Sequence, residues 1–327
     1  MKKFILLAIA AISLFFLPSC ETDVDVNTEW EEITIVYGLL NQLDTTHYFR
    51  INKAFLGGNA LEIAKIEDSL SYNGKLQVRL EGWYNGSLMQ TIPFDTTTFY
   101  DKEDGIFYNP EMIIYKGVGE LDPSYEYRLF ARNTVSGQEV SSVTRLIHDF
   151  SIMKPTTGGR VSFNRGWGTP FEWHNAVNAK RFEPMLRIHY WEIPLNSGDT
   201  TAKYVDWILG TQTANDISGS GQIEVSISND AFYDIMEQKL DADFVGQRLA
   251  GPVDFIVAAG GIEYDTYMRV NGPSYSLVQD RPEYTNIVNG FGLMSSRYEI
   301  FRTKRLSPLA EEELMALDLS FVKNPDL

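Results

Sequence analysis

Apolar and polar residues alternate with a period of two in several separate segments of the chain. Leu76, Val78 and Leu80 alternate with polar neighbours, and the same pattern recurs over 223–228 and 264–270. A period of two predicts β-strands that bury one face and expose the other. We therefore predict an all-β chain with one or two short helices.

Turn-forming pairs lie between the predicted strands of the first half. They are Asn73-Gly74, Asn85-Gly86 and Asp104-Gly105. Such pairs favour the positive φ angles of tight hairpin turns, so the first two bracket a predicted strand over 75–84. Together these signals predict an antiparallel meander over residues 33–150.

A turn-rich segment at 155–159 interrupts the alternation and marks the predicted boundary between two sandwich-like β domains. Beyond it, Phe171-Glu172-Trp173 is followed by a strand through Leu186. A Trp-bearing strand followed by this second strand resembles the start of a fibronectin type III-like or immunoglobulin-like sandwich. Further strands are predicted near 203–210, 222–228, 252–259, 263–270 and 296–302.

Two segments carry helical signals. Asn229 or Asp230 is suited to cap one helix, and Ser307-Pro308 is suited to start a second, C-terminal one. Their apolar faces are Phe232, Ile235, Met236 and Leu240 in the first, and Ala310, Leu314 and Leu317 in the second. The C-terminal helix is expected either to dock on the second domain or to meet a partner.

Residues 1–19 have the features of a signal peptide, because two lysines precede an apolar run that is short for a membrane span. The motif LPSC that ends at Cys20 resembles a lipobox, which directs acylation of the cysteine and cleavage before it. Pro18 departs from the small residue usual at that position. We predict that Cys20 carries a lipid anchor; the alternatives are an uncleaved anchor and an ordinary signal peptide.

Composition adds three constraints. Cys20 is the only cysteine, so the mature chain forms no internal disulfide and depends on its hydrophobic cores. The net charge of −16 becomes −18 when the two signal-peptide lysines are lost, which disfavours nucleic acid and anionic lipid surfaces as partners. The acidic stretch after Cys20 predicts a tether over 20–32, which acts either as a surface-export signal or as a solvated linker.

Motifs for catalysis or cofactor binding do not occur in the sequence. There is no Gly-x-Ser-x-Gly, His-Glu-x-x-His or P-loop motif, and no histidine pair has helical metal-site spacing. We therefore predict no catalytic residue, no metal and no cofactor. His174 and His189, in adjacent predicted strands, are the one argument for an unrecognised hydrolase. The acidic segment 101–105 is interpreted as a solvated turn, and the Gly-x-Gly at 290–292 as a tight backbone passage or a bulge.

Aromatic residues near turns are the candidate ligand or partner contacts. Trp83 and Tyr84 precede a hairpin turn, Trp167 stands between two glycines, and Tyr267 belongs to a late cluster of tyrosines. Exposed rings on a rigid β scaffold stack on sugars or anchor a protein partner. The alternative is that these rings fill a core, although the glycines beside Trp167 argue against a regular strand there.

The lipobox is followed by three segments in a fixed order. They read ITIVYGLLN at 33–41, GELDPSYEYRL at 119–129 and NIVNGFGLM at 286–294. This layout resembles a family of Bacteroidota outer-membrane lipoproteins of unknown function, often found beside TonB-dependent receptors. The DPS turn at 122–124 departs from the Pro-Gly often seen there. The family defines no catalytic residue, so the resemblance implies only a receptor-associated accessory role.

The predicted layout has five parts: a signal peptide over 1–19, a tether over 20–32, β domains over 33–153 and 154–305, and a C-terminal helix and tail over 306–327. We expect a non-enzymatic lipoprotein of the outer membrane, and the acidic tether favours exposure at the cell surface. Its expected partners are the membrane, a TonB-dependent receptor, and a glycan or protein ligand. A structural or adhesive subunit that exchanges its C-terminal segment, and a hydrolase, are the rival hypotheses.

Overall fold

The computed structural model describes residues 33–54, 70–100, 111–196, 198–272 and 283–325. Most of these residues lie in β-strands, which form one 14-stranded sheet and one three-stranded sheet. The prediction of a mostly β chain is confirmed. The signal peptide, Cys20, the acidic tether and the 101–105 turn lie outside the described residues.

The first half of the chain contributes seven strands to the large sheet. They are β1 Ile33–Leu40, β2 Thr46–Ala54, β3 Leu76–Tyr84, β4 Ser87–Phe99, β5 Met112–Val118, β6 Glu126–Asn133 and β7 Glu139–Arg145. Their order is β1-β2-β5-β4-β3-β6-β7, with every neighbouring pair antiparallel. The predicted meander is therefore wrong in its order, because β2 pairs with β5 and β3 lies between β4 and β6.

The β3–β4 hairpin matches its sequence signal. Tyr84 faces Ser87 across a two-residue turn, in which Asn85 has φ 48° and Gly86 has φ 79°. Positive φ at both positions is the type I′ geometry that Asn-Gly favours. The turn chemistry thus specified this local pairing correctly.

Ten strands follow in the second half. They are β8 Ile152–Lys154, β9 Arg160–Val161, β10 Gly168–His174, β11 Ala179–Pro194, β12 Thr201–Ile208, β13 Gln212–Thr213, β14 Gln222–Ser228, β15 Gly246–Gly261, β16 Phe291–Leu306 and β17 Phe321–Val322. The strands β12-β11-β15-β16 continue the large sheet, and β14-β10-β8 form the small one. The parallel pairing of β1 with β16 joins the two halves of the large sheet.

The described residues contain three helices, α1 Asn229–Lys239, α2 Ile262–Asn271 and α3 Pro308–Met315. Helices α1 and α3 confirm the two predicted ones, although the cap of α1 is Ser228, whose hydroxyl accepts from the Ala231 N–H. At α3, Ser307 accepts from the Ala310 N–H. The apolar face of α3 packs into the core of its own chain.

The strand predicted over 263–270 is wrong, because this segment forms helix α2. Its charges have helical spacing: Arg269 pairs with Asp265 at 2.9 Å one turn earlier. The carboxylates of Glu263 and Asp265 lie in the first turn and Arg269 in the last, which complements the helix dipole. The alternation of Tyr, Thr, Met and Val was a weaker signal than this charge pattern.

Helix α2 begins where the two halves of the molecule meet. The Glu263 carboxylate accepts hydrogen bonds from Ser295 on β16, at 3.0 Å, and from Thr144 on β7, at 3.3 Å. Burial raises the pKa of Glu263, against the opposing effect of these hydrogen bonds. The Glu263 side chain thus connects α2, β16 and β7.

Two hydrophobic cores underlie the fold. The first contains mainly buried residues of β1–β7, together with Ile287 and Met294. The second contains buried residues from the part of the chain between Ile147 and Phe321. Most residues of the first core lie in the first predicted domain and most of the second core in the second, whereas Ile287 and Met294 cross over to the first core. The domain boundaries stay a prediction.

Candidate ligand-binding site

Trp167 lies on the loop between β9 and β10, with 75% of its surface exposed. The backbone of this residue is held on both sides. Its N–H donates to the Asn164 carbonyl at 3.2 Å, and its carbonyl accepts from the Asn229 N–H at 3.1 Å. An exposed indole on an anchored backbone loses little conformational freedom when it binds a ligand.

The two glycines beside Trp167 explain how this loop is built. Gly166 adopts φ 76°, a conformation that L side chains rarely adopt, and its N–H donates to the Asp230 carboxylate at 2.9 Å. At Gly168 a Cβ would lie 2.5 Å from the Ser226 hydroxyl on the neighbouring strand β14. Both positions therefore favour glycine, and the indole between them projects outward.

Asn229, at the start of α1, holds the loop that carries Trp167 through side-chain hydrogen bonds. Its side chain is buried, accepts from the Thr169 hydroxyl at 2.7 Å, and donates to the Asn164 carbonyl at 2.9 Å. One amide thus connects α1, β10 and the loop that carries Trp167.

A cavity of about 330 Å³ opens beside Trp167. Its wall is largely polar, with hydroxyl, amide and cationic side chains from several elements. They include Arg160, Ser162, Asn164, Thr169, Asn229 and Lys304. Pockets of this volume accommodate small ligands, and convergent polar groups set their orientation.

Lys304, on β16, is the most buried cation of this wall, with 3% of its surface exposed. Its ammonium donates to the Thr156 carbonyl at 3.0 Å and also to the Gly158 carbonyl. Burial lowers the pKa of Lys304, and repulsion by Arg302 lowers it further.

Trp83 and Tyr84 lie together at a second groove, of about 300 Å³. Trp83 is half-buried: its indole N–H donates to Glu81 at 2.9 Å, and the Arg128 guanidinium lies 4.7 Å from its ring centroid. Tyr84 is 46% exposed and packs near Tyr125. One face of the Trp83 ring is therefore already covered by a cation.

The charges along this second groove are paired with one another. Glu126 forms ion pairs with Arg128 at 2.8 Å and with Arg145 at 3.2 Å. The hydrogen bond from Arg128 lowers the pKa of Glu126, with a smaller contribution from Arg145 and against the effect of burial. The three charged side chains of this groove thus bind one another.

Tyr267 lies on α2 rather than on a strand. Its hydroxyl is 3.2 Å from the Tyr37 hydroxyl, and the two rings meet edge to face with centroids 6.2 Å apart. The hydrogen bond to Tyr37 and then burial raise the pKa of Tyr267 to about 12. The four predicted contact residues therefore occupy three places, and Trp83 and Tyr84 share one of them.

The expectation that His174 and His189 lie in adjacent strands is wrong. His174 ends β10 in the small sheet, whereas His189 lies on β11 in the large one. His189 instead meets Asp254 at 2.7 Å, and the Thr303 hydroxyl donates to the same carboxylate. In a catalytic triad the nucleophilic hydroxyl is hydrogen-bonded to the histidine, whereas the Thr303 hydroxyl is hydrogen-bonded to Asp254.

The sequence identified Trp167 as a candidate contact residue, but it did not identify Arg160, Asn229 and Lys304 as residues of the same site. Each of these comes from a different element, so no local motif joins them. The one available signal was the polar run at the end of the 296–302 strand, where Lys304 replaces an expected apolar residue.

Within the described ranges, no group of three or more His, Cys, Asp or Glu residues is placed to hold a metal ion. None of the helices in the same ranges is long and apolar enough to cross a membrane. Neither the protein-family models nor the curated proteins give a match to this chain.

Proposed function

We propose that this protein is a non-enzymatic outer-membrane lipoprotein, exposed at the cell surface, that binds a saccharide at Trp167. The observation that carries the proposal is the exposed indole on a backbone anchored at both sides. The apolar face of a sugar ring stacks on such an indole, and the hydroxyls of the sugar require polar partners nearby. The role of Trp83, Tyr84 and Tyr267 as further contacts stays a prediction.

The wall of the cavity favours a polyhydroxylated ligand over an apolar one. Ser162 and Asn164 present an exposed hydroxyl and an exposed amide, whereas sites for apolar ligands are lined mainly by hydrophobic side chains. A saccharide therefore fits this wall better than a lipid chain does.

Replacing Trp167 by alanine is expected to weaken saccharide binding by about 2 kcal/mol, or roughly 30-fold, because truncating a Trp anchor removes most of its contact energy. A glycan array identifies the ligand, and calorimetry measures its affinity for both proteins. The matched control is Phe301→Ala, which removes an exposed ring of 68% accessibility from a different face. Equal affinity of W167A and the unmodified protein for every glycan would contradict the proposal.

Anchoring through Cys20 is the second element of the proposal, and it is supported by the lipobox. Replacing Cys20 by serine is expected to abolish acylation, because the thioether requires a thiol, and to move the protein from the detergent phase to the aqueous phase. Mass spectrometry of the N-terminal peptide measures the lipid directly. Ser19→Ala is the control and should remain acylated. An N-terminal peptide of the unmodified protein whose mass includes no lipid on Cys20 would refute the anchor.

A receptor partner is the second candidate function, and a specific surface favours it. Met185 on β11 directly faces Ile208 on one neighbouring strand and Ile256 on the other, and Ile256 faces Phe301. This four-residue apolar stripe crosses four strands, and its two ends are exposed: Ile208 is 72% exposed and Phe301 is 68% exposed, whereas Ile256 is buried. An envelope pull-down in which F301A loses a TonB-dependent receptor that W167A retains would support this candidate.

The finer architecture is also part of the proposal. A fibronectin type III-like sandwich over the second domain is supported by the rings between the small sheet and the large one. Phe171 on β10 meets Phe255 on β15 at 5.2 Å between centroids, and the buried Trp173 lies 6.0 Å from Phe182 on β11.

The packing of the C-terminal segment favours an accessory protein over a subunit that exchanges this segment. Leu314 on α3 and Phe321 on β17 are both buried in the second core of the same chain. The Asn324 side chain donates to the Ala250 carbonyl at 2.7 Å.

A further inference from the structure

The wall of the Trp167 cavity differs in charge from the rest of the chain. The sequence holds 44 acidic and 28 basic residues. The described residues that line the cavity nevertheless include two cations, Arg160 and Lys304, and no carboxylate. A cationic recess in an acidic protein attracts an anionic group and leaves the rest of the surface repulsive to it.

The positive charge of Lys304 is buried, which is energetically unfavourable for a charge without a counter-charge. Its ammonium has three N–H donors, and the two partners in the described part of the chain are the neutral carbonyls of Thr156 and Gly158. None of the ion pairs among the described residues includes Lys304. A buried charge without a counter-charge is more stable when an anion approaches it.

Arg160 also lines this cavity, and it is an exposed residue. Strand β9 pairs with β16 through Arg160 and Arg305, which brings Arg160 beside the strand of Lys304. One guanidinium nitrogen donates to the Leu306 carbonyl at 2.9 Å, and the side chain is otherwise exposed. Its remaining donors suit the planar, two-oxygen geometry of an anionic group.

The other charged groups around the cavity are already engaged. Arg302, on β16, donates to the Pro155 carbonyl at 2.6 Å. Beyond the Trp167 loop, Asp230 accepts from the Gly166 N–H and lies 3.8 Å from Arg165. Asp230 is thus engaged by these two groups and is not among the residues that line the cavity.

We infer that the ligand of this cavity is an acidic saccharide, with a carboxylate or sulfate substituent directed at Arg160 and Lys304 while the sugar ring stacks on Trp167. The inference rests on the proposed saccharide binding and adds the class of the ligand to it. Both substituents present two or more oxygens with a negative charge, which is the chemistry that the two cations recognise.

The test compares saccharides that differ only in charge. A tetrasaccharide of galacturonic acid, its fully methyl-esterified form and a sulfated tetrasaccharide are titrated into the full chain by calorimetry. The charged forms are expected to bind at least about tenfold more tightly than the methyl ester, because charge-assisted hydrogen bonds replace neutral ones. The preference is expected to shrink as salt is added. The carboxylate and sulfate arms distinguish the two substituents.

Two variants separate recognition of charge from folding. Arg160→Gln alters an exposed side chain and is expected to reduce the acidic preference severalfold while leaving the affinity for the methyl ester unchanged. Lys304→Gln is expected to remove the preference in protein that remains folded. The matched control is Arg297→Gln, an exposed arginine whose partner is Glu299, which should keep the preference.

The outcomes distinguish the inference from the function on which it rests. Equal binding of ester and acid that W167A abolishes would overturn the inference and retain the saccharide site. An acidic preference that survives in both R160Q and K304Q would also overturn it, because neither cation would then recognise the substituent. Absence of binding by all three tetrasaccharides, together with an empty glycan array, would overturn both proposals.

Discussion

Replacing Gly292 by alanine is expected to destabilise the protein by about 3–5 kcal/mol, which is at the upper end of single-residue effects. Gly292 lies on β16 opposite Val36 of β1, with φ 115°. A Cβ at this position would lie 1.9 Å from the Val36 carbonyl oxygen, which belongs to the backbone and has no rotamer by which to move away. The unfavourable φ adds about 1–3 kcal/mol of strain.

The location of Gly292 makes this effect global. The parallel pairing of β1 with β16 joins the strands of the first core to those of the second. Val36 is fully buried in the first core, and Met294 on β16 is buried beside it. Separating β1 from β16 therefore opens a core and also interrupts the large sheet.

Chemical denaturation followed by fluorescence and circular dichroism measures the G292A effect. The control is Gly158→Ala, because a Cβ at that position meets nothing within 4 Å; its free energy of unfolding should change by about 0.5 kcal/mol or less. A G292A midpoint indistinguishable from that of G158A would show that β16 relaxes around the new methyl group.

Short sequence patterns predicted the turns and elements in which they occur. They did not predict which distant strands pair with each other. Asn85-Gly86 specified the β3–β4 hairpin because the turn acts on residues next to it. The Gly-x-Gly at 290–292 was correctly interpreted as a tight passage, but its partner, β1, lies at the other end of the described chain. No pattern within either segment identifies the other, because each is compatible with many partners.

The same limit applies to the candidate site. The glycines beside Trp167 predicted an exposed indole from three consecutive residues. The cations of the cavity come from β9 and β16, which are neighbours only after the chain has folded. Helix α2 is the opposite case: its alternating residues fitted a strand, and its charges at helical spacing carried the better information.

Replacing Arg248 by methionine is expected to cost about 3–5 kcal/mol, because the buried Glu192 carboxylate loses its buried partner and keeps the half-exposed Lys203. Arg248 on β15 is 1% exposed and bonds Glu192 on β11 through two nitrogens, at 2.9 and 3.0 Å. Burial alone would raise the pKa of Glu192; hydrogen bonds from Lys203 and Arg248 hold it below its ordinary value. The stability from this lowered pKa is present above pH 4.5 and is lost as the pH falls through the folded-state value.

Arg248 also holds the C-terminal segment, since its third nitrogen donates to the Leu319 carbonyl at 2.9 Å. R248M is therefore expected to show faster hydrogen exchange around 319–325 as well as a lower unfolding midpoint. The control is Arg297→Met, whose pair with Glu299 is about half exposed on both sides and should contribute about 1 kcal/mol or less.

The double variant Arg248→Met with Glu192→Leu separates the charge from the packing. Removing both buried charges together avoids a buried carboxylate that has lost its buried partner, so much of the lost stability should return. The Leu319 carbonyl still lacks its donor in this variant, so exchange at the C-terminal segment should stay fast. A double variant that remains as unstable as R248M would show that the bond to Leu319 and the packing of the arginine stem, rather than the pair with Glu192, hold β15 against the C-terminus.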